Sequence, residues 1–104
     1  MSNYNKGEIG SIIRVNAGED VSSAASVVII LQPEAGTVKE FTATVPAVTV
    51  TVDNVTYTAN EYAEYTTTSK EDLDYIGRWR KKVESTFSSV LVTQTNYVKF
   101  RVLS

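Results

Sequence analysis

Three groups of side chains in this 104-residue chain have the types and spacing to do chemistry. The first is acidic: Glu19-Asp20, Glu61 with Glu64, and Glu71-Asp72-Asp74. Paired carboxylates hydrolyse glycosides and clustered ones hold calcium. None of these has the spacing of a calcium loop, and a glycosidase needs a much larger scaffold around its cleft. They read as loop solubility and capping. The second group is aromatic: Tyr57, Tyr62, Tyr65 and Tyr75 with Trp79, the single tryptophan. Such rings stack on sugars, but tyrosine is common in strands and core packing is the favoured reading. The third is basic. Arg78, Arg80 and Lys82 alternate at period two, and so do Lys99 and Arg101, with Tyr97 nearby. If the last strand lies near the tryptophan strand, these five form one basic face. Single-stranded nucleic acid is a conceivable ligand for it. A net charge of −2 favours an acidic patch on a protein partner instead. The plain alternative is a solvated outer face whose charges block edge pairing.

The absences are as informative. There is no histidine and no cysteine, which excludes disulfides, zinc sites built on either residue, Ser-His-Asp triads and Cys-His dyads. No residue is assigned as catalytic, cofactor-binding or metal-ligating, and no cofactor is expected. The first seven residues, Met1 to Gly7, are polar and lack a signal-peptide apolar core. No apolar run approaches the roughly 20 residues that span a bilayer. The expectation is a protein made in the cytoplasm without a secretion address, with neither membrane nor nucleic acid as partner.

The elements that must position these groups are strands. Val, Thr and Tyr are abundant and Leu is scarce, a bias toward pleated sheet. Residues 1–8 are expected to form a flexible arm and residues 9–104 one domain, since roughly 100 residues can bury a core without staples. Ile9 to Val15 reads as a first strand, with Ile9, Ser11, Ile13 and Val15 on one face. Asn16 to Ala24 is turn chemistry, in which Asp20 or Ser22 bonds nearby amides and fixes a corner. Val27 to Leu31 is β-branched almost throughout and too short for a stand-alone helix, so it is predicted as a strand. Val27, Ile29 and Leu31 point inward. Val28 and Ile30 fall on the other parity, where a loop or the arm covers them or another protein meets them.

Pro33-Glu34-Ala35-Gly36 then turns the chain: proline presets φ and Gly36 takes the strained exit. Val38 to Val45 is a strand with Phe41, Ala43 and Val45 together. Val48 to Val52 alternates most cleanly, and Val55 to Thr67 is a Tyr-Thr strand bent near Asn60. Ser69 and Asp72 have the spacing of a capping box, and Leu73 tucks beneath the sheets. Gly77 leads into the tryptophan strand, where Trp79, Lys81 and Val83 share the inner face. Lys81 is awkward there and needs either a snorkelling stem or a bulge. Ser88 to Thr93 places Val90 and Val92 inward, and the last strand does the same with Val98, Phe100 and Val102. About seven to eight short strands with turn signals between them predict an all-β, antiparallel β-sandwich.

The order of Asp20 to Ala24, the Val27–Leu31 strand, Pro33 with Gly36, the Tyr-Thr strand, then Asp72-Leu73 and Gly77-x-Trp79 resembles small immunoglobulin-like virion proteins of tailed bacteriophages. It is similar to the N-terminal domain of baseplate upper proteins and to head, neck and tail accessory proteins, over about Ile9 to Val102. Those baseplate proteins carry further C-terminal domains. A chain ending at Ser104 looks more like a free-standing decoration, neck or tail-attached subunit. The resemblance implies an immunoglobulin-like fold, no enzyme activity and no cofactor. It implies a virion location, partners among capsid, portal/neck or tail proteins, and a homo-oligomer imposed by particle symmetry. The expected structural anchors are Trp79, Gly77, Asp20, Pro33 and Gly36; the expected interface is Val28, Ile30, Arg78, Arg80 and Lys82. A carbohydrate-binding, host-adhesion β-module is the alternative function, and exposed coplanar Tyr and Trp rings would mark it.

Overall fold

The computed structural model describes residues 3–103; Met1, Ser2 and Ser104 lie outside it. Ten strands and no helix are present among the described residues: β1 (Asn3–Asn5), β2 (Ile12–Asn16), β3 (Ser26–Pro33), β4 (Lys39–Thr42), β5 (Val50–Val52), β6 (Val55–Tyr57), β7 (Tyr62–Thr66), β8 (Gly77–Ser88), β9 (Leu91–Gln94) and β10 (Val98–Leu103). The main sheet runs β1-β10-β8-β3-β4, and β9 extends the β10 side of the long β8. Only β1 runs parallel to its neighbour. β2 pairs with β7, and β5 with β6. A single bridge, Thr44 to Glu64, joins the chain beyond β4 to β7. On the opposite side the Tyr4 hydroxyl donates to the Ile12 carbonyl at 3.0 Å. The sheet therefore curls until both ends reach the β2–β7 ribbon.

The core lies between that ribbon and the inner face of the main sheet. Ile29 and Leu31 of β3, Trp79 and Val83 of β8, and Phe100 and Val102 of β10 meet Ile13 and Val15 of β2 and Ala63 of β7. Period two does this work: in β8 the inner set Trp79, Lys81, Val83 and Ser85 is buried, while Arg78 and Arg80 are exposed. Lys81 thus sits inward in register, with no bulge at its position.

Trp79 is 1% exposed. Its indole N–H donates to the Tyr75 carbonyl at 2.8 Å, which removes the cost of burying a polar atom. The chain folds back between Tyr75 and Trp79 through Gly77, at φ 136°. A Cβ on Gly77 would stand 3.1 Å from the Tyr75 ring. Asp20 accepts from the Ser22 amide at 2.9 Å and from its hydroxyl at 2.6 Å; these bonds, the hydroxyl's first, hold its carboxyl below the ordinary range. Gly36 has φ 118°.

Several expectations change here. There are ten strands rather than seven to eight: β1 is added, and the 55–67 run breaks at Asn60 (φ 66°) into β6 and β7, which pair with different partners. The 1–8 arm is corrected within the described residues, because Asn3–Asn5 is a strand. The buried Tyr4 ring meets Phe100 edge-on at 5.6 Å, and that contact fixes the segment. Pro33 is the last residue of β3, opposite Trp79, rather than within a tight turn. β4 pairing ends at Leu31, so no partner on that side needs the N–H that proline lacks. Val90, expected inward, is 91% exposed, and Ile9, Val92 and Val98 are exposed as well. Alternation sets which side a residue faces but not whether a second layer reaches it. Ile30, expected at an interface, is 8% exposed and Val28 is half-buried. Ile30 lies between Glu40 and Lys82 across the two neighbouring strands, whose long side chains share its face.

Candidate functional site

The outer face of β8 and β10 gathers the cations. Antiparallel pairing sets Lys99 opposite Arg80 and Arg101 opposite Arg78; Lys82 follows on the same parity. The condition stated from the sequence, a last strand beside the tryptophan strand, is thus met. Tyr97 lies between two of the cations, its ring centre 4.6 Å from the Arg80 guanidinium carbon and 4.8 Å from the Lys82 ammonium. Each such contact contributes roughly 0.5–1 kcal/mol at an exposed site.

Two glutamines that sequence reasoning missed aim these cations. Gln32 on β3 accepts from Arg80 at 2.8 Å, and Gln94 on β9 accepts from Lys82 at 2.7 Å. Gln94 also donates to Glu84 at 2.8 Å. Both glutamines are on the outer parity of their strands, and that parity was the available signal. Beside them a cleft of about 600 Å³ is lined by Arg78, Arg80, Lys99 and Arg101, with Gln32 and Glu34 among its other residues. Its one carboxylate, Glu34, is 4.0 Å from Arg78, too long for a strong ion pair between exposed groups. Positive charge here exceeds its local neutralisation.

The acidic groups do not converge. Glu64 pairs with Arg14 at 3.0 Å, and Asp74 with Lys39 at 3.3 Å. Asp72 accepts from the Tyr65 hydroxyl at 2.8 Å and from the Thr68 and Ser69 amides at 2.9 and 3.3 Å. It closes a turn without starting a helix, and the reaching-back half of the predicted capping box is formed. Glu71 bonds the Ser69 hydroxyl, which holds its carboxyl below the usual range. No group of three or more acids is placed to hold a metal among the described residues.

The aromatic residues are spent on packing. Tyr57, Tyr62 and Trp79 are buried. Tyr62 donates to the Val48 carbonyl at 3.0 Å, and Tyr65 stacks on Phe41 at 4.3 Å.

The inner face of β8 holds a second unusual group, Lys81. It is 6% exposed and has no carboxylate ion pair among the described residues. Burial, and then the Arg14 guanidinium, push its ammonium down to about 8. Comparison with protein-family models, curated proteins and solved structures returns no match to this chain.

Proposed function

We propose that the chain is a non-enzymatic docking module that presents the outer face of β8 and β10 to an acidic surface of another protein. The carrying observation is the cross-strand juxtaposition of like charges, Arg80 with Lys99 and Arg78 with Arg101. Like charges directly opposite destabilise a sheet, by roughly 0.2–1 kcal/mol per pair. A face shaped by folding alone would intersperse the signs. Five cations concentrated on one face of a chain of net charge −2 polarise the molecule. Such a patch steers and orients a complementary partner.

A protein surface suits the patch better than nucleic acid. A polyanion running beyond it meets Glu34, Glu40 and Glu84, which border the cations. The one aromatic ring on the face, Tyr97, is already flanked by Arg80 and Lys82, whereas base stacking needs free rings. No observation favours the sugar-binding reading, because the rings it requires are buried or half-buried.

The resemblance to immunoglobulin-like proteins of tailed bacteriophages supplies the finer reading. The fold type is an immunoglobulin-like sandwich and the place of action is the virion, as a head decoration, neck or tail subunit. The partners are capsid, portal/neck or tail components, met by repeated copies of the chain.

The test is binding of the purified chain to poly-glutamate across a salt series. Binding should weaken steeply with salt and disappear in the Arg80→Glu, Lys99→Glu double variant while the fold is kept. Undiminished binding by that variant, or a preference for single-stranded DNA at matched charge, contradicts the proposal.

A further inference from the structure

β9 (Leu91–Gln94) leaves one side of its backbone open. Among the described residues its strand partner is β8 alone. The Thr95 amide donates to the Val83 carbonyl at 3.1 Å. By alternation, the N–H and C=O groups of Val92 and Gln94 then point away from β8. An open row of this kind is a template for another strand, and folded domains ordinarily blunt it with charge, proline or a covering segment. The opposite edge of the main sheet is treated that way. β4 carries Lys39 and Glu40, Lys39 is paired with Asp74 at 3.3 Å, and the chain beyond β4 is bridged to β7. β9 is different. No residue from Ser85 to Val98 is charged, and none is proline. Val90, Leu91 and Val92 are 91%, 51% and 48% exposed, so three successive apolar residues stand in water beside the open edge.

We infer that two copies of this chain pair edge to edge through β9, antiparallel and about a two-fold axis. The lack of charge selects this occupant. Two-fold pairing sets a strand against itself, so a charge at its centre would meet a like charge, and β9 has none. The backbone agrees. Val92 lies in the outward-pointing set, so a register centred on it lets the two Val92 residues exchange both N–H···O=C bonds. Leu91 then lies diagonally across from its counterpart, a distance over which long apolar side chains remain in reach. Each chain has one edge of this kind, so pairing closes at two copies and does not run on as a fibre.

Pairing goes beyond the docking reading and does not depend on it, but it bears on the same face. The two-fold axis of an antiparallel strand pair stands perpendicular to the sheet, so each face of one copy continues into the same face of the other. The basic faces of β8 and β10 therefore look the same way in both copies. A dimer presents two of them to one surface, which raises avidity without a new contact. An interface built on one short strand is at the small end of the range, so the dissociation constant is expected at roughly 0.1 mM.

The experiment is sedimentation equilibrium of the full chain from about 10 µM to about 1 mM. The mass should rise with concentration from the 11.4 kDa of one chain to twice that value. Val92→Lys sets two ammonium groups face to face. Val92→Pro removes an open-edge amide and spares the β8–β9 backbone bonds. Each should raise the dissociation constant at least about tenfold while keeping a dispersed spectrum. Glu40→Lys, on the opposite edge, should pair as the unaltered chain does. A one-chain mass at every concentration, growth beyond two copies, or undiminished pairing by Val92→Lys each overturns the inference. Val92→Pro carries no new charge and should still bind poly-glutamate, so docking and pairing stand or fall separately.

Discussion

At the scale of single residues, Lys81 sets the sign of an unusual pH response. Its native value of about 8 lies below the 10.5 of the free side chain. Between these values the unfolded chain binds more protons than the native one, so stability rises with pH. At about 1.4 kcal/mol per tenfold change, the full span is roughly 3 kcal/mol. Tyr4 acts in the opposite sense, because burial raises it from 10.0 to about 12. Its contribution is complete below about pH 10 and is lost as pH climbs toward 12. Tyr57 and Tyr65, raised chiefly by burial, add to that loss. Urea unfolding should therefore show stability increasing from pH 8 to about 10 and declining beyond it. Lys81→Met should remove the increase and raise stability at pH 7 by roughly 1–3 kcal/mol. A flat profile, or a destabilised variant, would mean that the amine is solvated in the native state. Gly77 is the complementary case. With φ at 136° and the Tyr75 ring 3.1 Å from any Cβ, Gly77→Ala should lower stability by roughly 1–3 kcal/mol in the same assay.

At the scale of elements, β10 carries both the fold and the candidate site. Its inner residues Phe100 and Val102 close the core, and its outer residues Lys99 and Arg101 complete the cation rows. Lys99→Glu turns the repulsive pair with Arg80 into an attractive one. It should raise stability by roughly 0.5–1 kcal/mol while weakening poly-glutamate binding, which urea unfolding and the salt titration would separate. β1 makes a different demonstration. Tyr4→Ala should cost roughly 3–5 kcal/mol, since it empties a core position, whereas a flexible arm would show almost no change. These elements were unequally legible in the sequence. β8 and β10 alternate in sequence and β3 is a continuous apolar run of fixed parity, so the inner sets Trp79-Val83, Phe100-Val102 and Ile29-Leu31 could be read directly. The basic face followed once β10 was placed beside β8. β1 was not legible, because a lone tyrosine among Asn3, Asn5 and Lys6 has no period to detect. Val90 and Val92 misled because alternation beyond the reach of the β2–β7 ribbon has nothing to pack against.

At the scale of the whole molecule, β8 divides two environments. Its inner side belongs to a core closed by the curl of the sheet, and its outer side bears cations that have no full local neutralisation. A chain of net charge −2 with this arrangement has a strong charge asymmetry across one strand. In the proposed docking role, that asymmetry would set an orientation without a large apolar interface, as suits a small domain added to a preformed surface. It also leaves the β8–β9 tip, with Val90 exposed beyond the covering layer, outside the charged patch. The most direct test of the proposed virion role is incorporation into phage particles assembled with either the unaltered chain or the Arg80→Glu, Lys99→Glu double variant, measured by the amount of chain sedimenting with purified particles. The unaltered chain should sediment with them and the folded double variant should remain in the supernatant. Equal recovery of the two in the particle fraction would contradict docking through this face.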